Sequence, residues 1–167
     1  KLCTYPRTDS RYLTSDMAAS LSELVQLTAG ALPVAAGMEI SCNAAQVIND
    51  KKVTDHHAVI PTRNLQSTDL SGLPVGEKAV LELVALRLLC AVAQPYTFAE
   101  TAVVVECAGT EFTAKGRTVK NYGWRALDAA YRAELKNVEQ DKETVDKALP
   151  ELSEGQTLPL SGAAVKE

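Results

Sequence analysis

The chain has 167 residues, of which 46% are hydrophobic and 23% are charged, a composition typical of globular domains rather than of disordered segments. Its formal net charge of -4 excludes a protein that binds nucleic acid through a general basic surface, because such proteins have a high isoelectric point. No apolar run approaches the roughly 20 residues that a transmembrane helix needs. These features predict a folded protein without a membrane partner, and they confine any DNA contact to a local site.

Apolar residues at helical spacing predict two helices in the first part of the chain. The first covers residues 17–28, with Gly30 placed to end it. Residues 31–53 hold proline, glycine and asparagine between short apolar patches, which indicates a loop with a short helix at 43–49. A second helix is predicted at 77–94, and its few charges indicate that most of its circumference is buried.

Beyond Pro95 the pattern changes to β-branched residues. Residues 101–107 are typical of a strand, and residues 111–120 of its antiparallel partner in a hairpin. A short helix is predicted at 123–135. The remaining predictions are a charged connector at 138–147, a turn at Glu154-Gly155 and a further strand at 156–160.

The four cysteines, Cys3, Cys42, Cys90 and Cys107, are widely spaced and form no Cys-x-x-Cys pair. This spacing argues against a zinc site, and we predict no metal site in this chain. We expect reduced thiols, which are typical of a cytoplasmic protein. The sequence begins at Lys1 with a chemically suggestive motif directly behind it, so we expect a fragment of a larger protein.

The first motif of chemical interest contains Tyr5 and Arg7. A tyrosine is a poor nucleophile at its ordinary pKa of about 10, and it becomes useful when positive groups stabilise the phenolate. Arg7 suits phosphate chemistry because its guanidinium stays protonated and grips two phosphate oxygens at once. In an extended segment these two side chains project to the same side, so one phosphate would meet both. Tyr-x-Arg also occurs by chance, and these three positions alone leave a structural role open.

The second motif contains both histidines of the chain, His56 and His57, directly after Asp55. Pro61 biases its predecessor toward extended backbone, so the histidines are expected on a loop or at the start of an extended segment. Such a pair is often a surface or hydrogen-bonding feature. A metal site made of these three residues is a weaker interpretation, because adjacent side chains rarely converge on one ion.

Longer strings around these residues resemble the signatures of a known family. The stretch from Thr4 to Leu13, Thr-Tyr-Pro-Arg-Thr-Asp-Ser-Arg-Tyr-Leu, resembles the active-site tyrosine motif of type IA DNA topoisomerases. The stretch from Asp55 to Thr62, Asp-His-His-Ala-Val-Ile-Pro-Thr, resembles their second signature. Tyr-Pro-Arg and His-His-Ala match the topoisomerase III branch, whereas the topoisomerase I branch tends to have Tyr-Met-Arg and His-Glu-Ala. Both motifs stand in the family's order and at about its interval.

The resemblance also implies a fold. The sequence patterns divide the chain into a helical part, residues 1–96, and a β-rich part, residues 97–167. In an α+β fold of the type IA topoisomerase kind, the first part would be the helical domain that carries the catalytic tyrosine. The second would be part of the β-rich arch, or gate, domain. Gly123-Trp124-Arg125 loosely resembles a glycine-aromatic feature that follows the arch hairpin in the family.

By this resemblance Tyr5 would attack a phosphodiester of single-stranded DNA, form a 5'-phosphotyrosine and leave a free 3'-hydroxyl. Another strand would pass through the gap, and the hydroxyl would reseal it without ATP, giving relaxation or decatenation. Arg7 would position the scissile phosphate, and His56 would contact a phosphate or assist proton transfer, while His57 matches a more variable position. The resemblance further implies DNA contacts or loop support by Thr8, Asp9, Ser10 and Arg11.

The family's acidic fold, which holds magnesium through an Asp-x-Asp cluster, has no counterpart in this sequence. The resemblance therefore implies Mg²⁺ as a cofactor of the intact enzyme and no cofactor in this fragment. We expect the fragment alone neither to cleave nor to reseal DNA. Its expected partners are single-stranded DNA and the remaining domains of the parent chain, in a bacterial cytoplasm and in association with the nucleoid or a plasmid.

Two other classes of function stay open on the residues alone. A non-catalytic module would use the same cleft to hold single-stranded DNA or a protein. A tyrosine-based nuclease, relaxase or recombinase would need clustered histidines or dispersed arginines, and neither pattern is convincing here. The covalent product discriminates between the enzymes, because a 5'-phosphotyrosine fits a topoisomerase and a 3'-linkage fits a recombinase.

Overall fold

The structure, a computed structural model, describes residues 1–135, 148–160 and 162. Over these residues the fold is α+β, with three α-helices and one two-stranded antiparallel sheet. The chain divides into two compact units. The described part of the first unit is residues 1–97 and 121–135, and that of the second lies within 98–120 and from 148 onward.

Helix α1, Ala18–Ala31, confirms the first predicted helix and ends one residue beyond Gly30. Its buried face is formed by Leu21, Leu24, Val25 and Thr28, which recur at the spacing of one helical face. Thr28 is the one polar member of this face, and its hydroxyl donates to the carbonyl of Leu24 at 2.7 Å. The buried polar group is therefore satisfied within the helix.

Helix α2, Val75–Val92, is the central helix of the first unit and packs against α1. Its first turn follows Pro74, a residue that cannot supply a helical backbone donor. The prediction that most of its circumference is buried is wrong, because the buried residues lie on one face and nine of its 18 residues are exposed. Val75, Val80 and Leu83 are apolar but 87%, 62% and 45% exposed, since a low number of charges does not bury a helix face unless another element packs on it. The buried residues are Leu81, Ala85, Leu86, Leu88, Leu89 and Val92.

The segment between α1 and α2 contains no α-helix or strand and crosses the surface of the unit in short 3-10 turns. The predicted short helix at 43–49 is one such turn, Ala44–Gln46. Leu32, Val47 and Ile60 anchor the segment, since each is almost completely buried in the core of the unit. The loop is therefore positioned by single apolar residues rather than by regular structure.

Helix α3, Trp124–Glu134, confirms the predicted short helix, and it packs against α2 within the first unit. The sequence patterns place these residues in the β-rich part of the chain, residues 97–167. Gly123 precedes the helix with a φ of +47°, and a Cβ there would lie 2.2 Å from the carbonyl oxygen of Gln94. That close approach lets the amide of Trp124 donate to the same oxygen at 2.9 Å. The start of α3 is thereby joined to the residues that follow α2.

The predicted hairpin is confirmed as strands β1, Thr97–Cys107, and β2, Thr110–Asn121. Ala108 and Gly109 connect them with φ angles of 51° and 77°, the positive values that tight hairpin turns require. Most of its side chains are exposed. Arg117 lies 3.9 Å from the centre of the Phe98 ring and pairs with Glu100 at 3.6 Å.

The predicted strand at 156–160 is wrong. The turn before it is present, with Gly155 at a φ of +75° and the Gln156 amide bonded to the Ser153 carbonyl at 3.1 Å. The described residues provide no partner strand, and a strand without one leaves its backbone groups unpaired. The predicted connector at 138–147 lies outside the described residues. Within the part that the structure describes, no helix is long and apolar enough to span a bilayer.

Candidate active site

The two sequence motifs are paired side by side in the first unit. The amide of Thr4 donates to the Ile60 carbonyl at 2.9 Å, and the Thr62 amide donates to the Leu2 carbonyl at 2.8 Å. The hydroxyl of Thr4 accepts from the Ile60 amide at 3.0 Å. The segment that precedes Tyr5 is thus fixed, antiparallel, to the segment that follows the histidines.

The other end of the first motif is held in the same way. Leu13 is 2% exposed, its amide donates to the Val47 carbonyl at 2.8 Å, and its carbonyl accepts from Asn49 at 3.0 Å. The Tyr12 carbonyl accepts from the Ala58 amide at 2.9 Å. Residues 5–11 therefore form a loop that is fastened at both ends, with most of its side chains open to solvent.

Tyr5 and His56 meet at the centre of this arrangement. Their ring centroids are 4.8 Å apart and the rings are tilted by 52°. Tyr5 is 52% exposed and His56 is exposed as well. Among the described residues the Tyr5 hydroxyl has no hydrogen-bond partner. The structure therefore brings together the two residues that the sequence singled out in separate motifs.

Thr8 ties the tyrosine loop to the histidine segment. Its hydroxyl donates to the His56 carbonyl at 2.8 Å and accepts from the Ser10 amide at 3.0 Å. Because the hydroxyl uses both its donor and an acceptor position, it fixes the loop and the histidine backbone at once. The geometry places Thr8 as a support for the pair formed by Tyr5 and His56.

His57 has a different environment from its neighbour. Its Nδ1 lies 2.7 Å from the Ala58 carbonyl oxygen, and the residue is half-buried. A carbonyl only accepts, so Nδ1 carries the proton in this hydrogen bond. The bond orients the ring of His57, while the ring of His56 lies against Tyr5.

Arg7 and Asp9 are two of the three exposed charges of the loop, the third being Arg11. Within the described parts of the chain neither Arg7 nor Asp9 forms an ion pair or a side-chain hydrogen bond. Arg7 lies two residues beyond Tyr5, so its guanidinium is available to a ligand at the same loop. An unpaired guanidinium two residues from an unpaired phenol on one exposed loop is an arrangement that can receive a phosphate.

A second tyrosine of the motif, Tyr12, lies between two cations. Its hydroxyl oxygen is 3.3 Å from Lys52 Nζ and 3.4 Å from Arg11 Nη2. Both cations also lie over the ring, at 4.9 Å and 5.4 Å from its centroid. Hydrogen bonds from Lys52 and then Arg11, together with their positive charge, lower the pKa of Tyr12 below its ordinary value of 10.0.

Sequence reasoning gave no role to Tyr12 or Lys52. Tyr12 was read only as part of the motif string, and Lys52 stands 40 residues along the chain from it. The available signal was the pair Lys51-Lys52 shortly before the histidine motif, in a chain that carries a net negative charge.

Among the residues that the structure describes, no metal site is found. The described residues contain no group of three or more His, Cys, Asp or Glu side chains that could hold a metal ion. Magnesium, which the family resemblance implies for the intact enzyme, therefore does not fit the described residues.

The thiols of three cysteines are kept protonated. Burial raises the pKa of Cys3 and Cys42, and raises that of Cys90 to about 11.

Comparison with known proteins adds an independent observation. A family model described as DNA topoisomerase matches residues 1–167. The chain is similar to DNA topoisomerase 3 of Bacillus licheniformis, at 38% identity over 162 residues, and of Bacillus subtilis, at 37% over 172 residues. These alignments cover 95% of this chain and 21% and 22% of the relatives. DNA topoisomerase 3 of Shouchella clausii is 32% identical over 164 residues, with 93% of this chain and 20% of the relative covered.

The chain thus spans about a fifth of the length of the curated relatives it matches. The resemblance seen in the two motifs is confirmed, because the family match extends well beyond them to the whole sequence. The chain belongs to the type IA DNA topoisomerases, and the relatives it resembles are topoisomerase 3 proteins.

Proposed function

We propose that this chain carries the nucleophile of a type IA DNA topoisomerase, which breaks and reseals one DNA strand without ATP. The observation that carries the proposal is the placement of Tyr5 against His56. The two rings are 4.8 Å apart, and the phenol is open to solvent on a loop fastened at both ends. A phenol and an unpaired guanidinium on one exposed loop, with a histidine from a second segment against the phenol, match the needs of phosphodiester chemistry.

In the proposed reaction the Tyr5 hydroxyl loses its proton and its oxygen attacks the phosphorus of a single-stranded DNA phosphodiester. The new bond joins the phenol oxygen to phosphorus, and the bond from phosphorus to the 3'-oxygen breaks. That oxygen leaves, takes up a proton and becomes a free 3'-hydroxyl. The DNA end stays attached as a 5'-phosphotyrosine ester. After another strand has passed, the 3'-hydroxyl attacks the ester, and the phenol is restored.

Arg7 and His56 serve the phosphate in this reaction. Arg7 has no carboxylate partner among the described residues, so its guanidinium is free to hold two oxygens of the scissile phosphate. His56 lies beside the reacting phenol and is exposed, which suits a phosphate contact or the transfer of the phenol proton. These two groups would act where negative charge develops in the transition state.

The neighbouring residues would hold the strand or the loop. Thr8 fixes the loop to the His56 carbonyl, and the ring of His57 is oriented by the Ala58 carbonyl. The proposed DNA-binding surface comprises Arg7, Thr8, Asp9, Ser10, Arg11, His56 and His57. A local surface of this kind fits a chain with a net charge of -4, because only one small region needs to attract phosphate.

The second unit and the rest of the parent protein have their own proposed parts. The exposed β1–β2 hairpin would belong to the arch, or gate, domain, and residues 1–96 to the domain that carries the tyrosine. Magnesium would be held by domains beyond this chain, so we propose that these 167 residues alone do not cleave DNA. The parent would bind single-stranded DNA, relax or decatenate it, and work in a bacterial cytoplasm at the nucleoid or on a plasmid.

The test uses the full-length protein that carries these residues. Relaxation of negatively supercoiled DNA with magnesium is compared between wild type and Tyr5→Phe, and the covalent adduct is mapped by mass spectrometry. Tyr122→Phe is the matched control, because Tyr122 is also exposed, at 61%, and lies outside the motif. We expect Tyr5→Phe to abolish relaxation and Tyr122→Phe to preserve it, with a 5'-phosphotyrosine on Tyr5.

If relaxation survives in Tyr5→Phe, or if the wild-type protein never forms an adduct, the proposal is overturned. Tyr5 would then be structural, and the exposed loop would serve a non-catalytic module that holds single-stranded DNA or a protein. A 3'-linked adduct would also contradict the proposal, because that product belongs to a recombinase.

A further inference from the structure

Arg11, Tyr12 and Lys52 form a cluster of hydrogen-bond donors that the proposed chemistry at Tyr5 does not use. The phenol oxygen of Tyr12 is the meeting point, with Lys52 Nζ at 3.3 Å and Arg11 Nη2 at 3.4 Å. We call these three side chains the Tyr12 cluster. All three reach the surface.

The hydrogen-bond inventory of the cluster indicates what kind of ligand it would take. A phenol offers one donor and two acceptor positions, and both acceptor positions of Tyr12 receive donors, one from Lys52 and one from Arg11. The phenol proton then points to something else, and no described residue accepts it. The ammonium and the guanidinium also keep unused donors, and neither has any acceptor capacity. The cluster presents donors only, which suits an anion.

The charge of the cluster is uncompensated. Among the residues that the structure describes, neither Arg11 nor Lys52 forms an ion pair with a carboxylate. Asp50 directly precedes the two lysines, and its carboxylate accepts a hydrogen bond from the Ser15 amide at 2.8 Å instead of pairing with Lys52. Two cations held against one phenol repel each other, so an anion placed between them would relieve the repulsion.

The backbone holds this cluster in place. Ser10 joins its two halves, because its hydroxyl donates to the Lys52 carbonyl at 2.8 Å and accepts the Tyr12 amide at 3.1 Å. Lys52 ends a single 3-10 turn, Asp50–Lys52, whose last amide is bonded to the Asn49 carbonyl at 3.0 Å. The next residue after Tyr12 is the buried Leu13. The cations are therefore presented by a fixed scaffold and not by a free surface loop.

The backbone of Tyr12 is also joined to the segment that carries His56. The Tyr12 carbonyl is bonded to the Ala58 amide, and Ala58 is two residues from His56. Two residues of extended chain cover roughly 7 Å. A strand whose scissile phosphate meets Tyr5 and His56 would therefore bring a neighbouring phosphate within reach of the cluster.

We propose that the Tyr12 cluster is a second phosphate subsite, which binds a non-scissile phosphodiester of the same DNA strand through Arg11, Lys52 and the Tyr12 hydroxyl. The proposal rests on the proposed function for the identity of its ligand. It adds Tyr12 and Lys52 to the DNA-binding residues and separates strand holding from strand cleavage. The neighbouring Lys51 is exposed and does not contact Tyr12, so it serves as a matched control.

The binding experiment uses the full-length protein with Tyr5→Phe, which prevents cleavage, and a fluorescently labelled single-stranded oligodeoxynucleotide. Lys52→Met and Lys51→Met each remove one lysine charge. Losing one phosphate contact should reduce affinity about fivefold at about 0.1 M salt, and should lower the slope of log K against log salt by about 0.7. We expect this for Lys52→Met and a smaller change in both quantities for Lys51→Met. Equal losses in the two variants would overturn the subsite.

A second measurement locates the phosphate. Each phosphodiester of the oligodeoxynucleotide is replaced in turn by an uncharged methylphosphonate. At one linkage the replacement should weaken binding to the Lys51→Met protein but leave binding to the Lys52→Met protein unchanged, because the contact is already lost there. If no linkage behaves in this way, Arg11 and Lys52 attract the strand only through their positive charge and bind no particular phosphate. That result would exclude the subsite.

A separate readout distinguishes the subsite from the proposed function. Lys51→Met with Tyr5 intact should still form the Tyr5 adduct at saturating DNA. If the adduct forms but Lys52→Met and Lys51→Met bind equally, the subsite fails and the proposed function stands. If no adduct forms in any protein while the Lys52 effect and its single linkage persist, the subsite stands and the proposed chemistry fails. Absence of any single-stranded DNA binding overturns both.

Discussion

Tyr5 and Tyr12 belong to the same motif but have opposite surroundings. Tyr5 lies on the exposed part of the loop with its ring against His56, and its hydroxyl has no partner among the described residues. Tyr12 lies at the fastened end of the loop, next to a buried leucine, and its hydroxyl receives two cationic donors. The Tyr5 hydroxyl is therefore free of partners among the described residues, whereas the Tyr12 hydroxyl is hydrogen-bonded to two cations.

The comparison shows why a lowered pKa alone does not identify a nucleophile. Tyr12 has the lowered pKa, because Lys52 and Arg11 stabilise its phenolate. The same two hydrogen bonds occupy the lone pairs that would have to attack phosphorus. The Tyr5 hydroxyl has no hydrogen-bond partner among the described residues, and a histidine ring lies beside its ring. Under the two proposals Tyr12 would hold a non-scissile phosphate, and Tyr5 would attack the scissile one.

The largest expected effect is on covalent chemistry in the full-length protein. Tyr5→Phe should reduce adduct formation by about 10⁴-fold or more, since it removes the attacking oxygen. Tyr12→Phe should reduce adduct formation by less than about tenfold at saturating DNA, since it removes one hydrogen bond to a phosphate. Adduct yield on labelled single-stranded DNA measures both. A covalent link on Tyr12, or equal losses in the two variants, would reverse the assignment.

The next effect concerns the core residue that anchors Tyr12. Leu13 is 2% exposed, so Leu13→Ala should lower the free energy of unfolding by about 3 kcal/mol through lost burial and the cavity left behind. Leu83→Ala is the control, because Leu83 is 45% exposed and should cost less than about 1 kcal/mol. Urea denaturation gives both values. Similar values for the two would mean that Tyr12 is not anchored through the core.

A smaller effect is expected at the link between Tyr5 and His56. Thr8→Val removes the hydroxyl that bonds the His56 carbonyl and the Ser10 amide, a loss of about 1–2 kcal/mol. If that loss weakens the positioning of His56 against Tyr5, adduct formation at saturating DNA slows about fivefold to thirtyfold. Thr8→Ser keeps the hydroxyl and should restore the rate. A Ser variant as slow as the Val variant would show that Thr8 acts only through packing.

The smallest expected effect is the titration of Tyr12. Its pKa lies below 10.0 in the folded protein, and Lys52→Met should move it back toward that value by removing the first of the two hydrogen bonds. The folded pKa is below the unfolded one, so any stability from the ionised phenol is present above pH 10.0 and is lost as pH falls through the folded pKa.

Near-ultraviolet absorbance of the phenolate, followed against pH, measures this shift. Tyr12→Phe removes the transition in question and so identifies it among the five tyrosines of the chain. If that transition stays in place when Lys52 is replaced, the cluster does not hold the phenol in solution.

Sequence reasoning succeeded where one short segment decides the outcome. The apolar spacing of α1 and α2 and the β-branched run of β1 each predict an element from its own residues. The strand at 156–160 failed because a strand needs a second segment to pair with, and the described residues supply none. The grouping of residues 121–135 with the first unit likewise depends on where Leu127 is buried, which local pattern does not reveal.

The candidate site divides in the same way. Tyr5, Arg7 and His56 were singled out from motif strings, whose resemblance to a family joined two segments that spacing alone could not bring together. Lys52 was missed because its partner, Tyr12, is distant in sequence, and because the turn that presents it has no periodic pattern. Donor clusters built from separate segments become visible only once the backbone path is known.

The contact between Gly123 and Gln94 bears on how this part of the protein tolerates insertions. The hydrogen bond from the Trp124 amide to the Gln94 carbonyl, at 2.9 Å, closes the first unit at the point where the hairpin leaves and returns. Residues between these two points can therefore change in number without altering the register of α2 against α3. Homologues are expected to vary in length within the hairpin while keeping a glycine at its base, since any Cβ there would collide with the backbone.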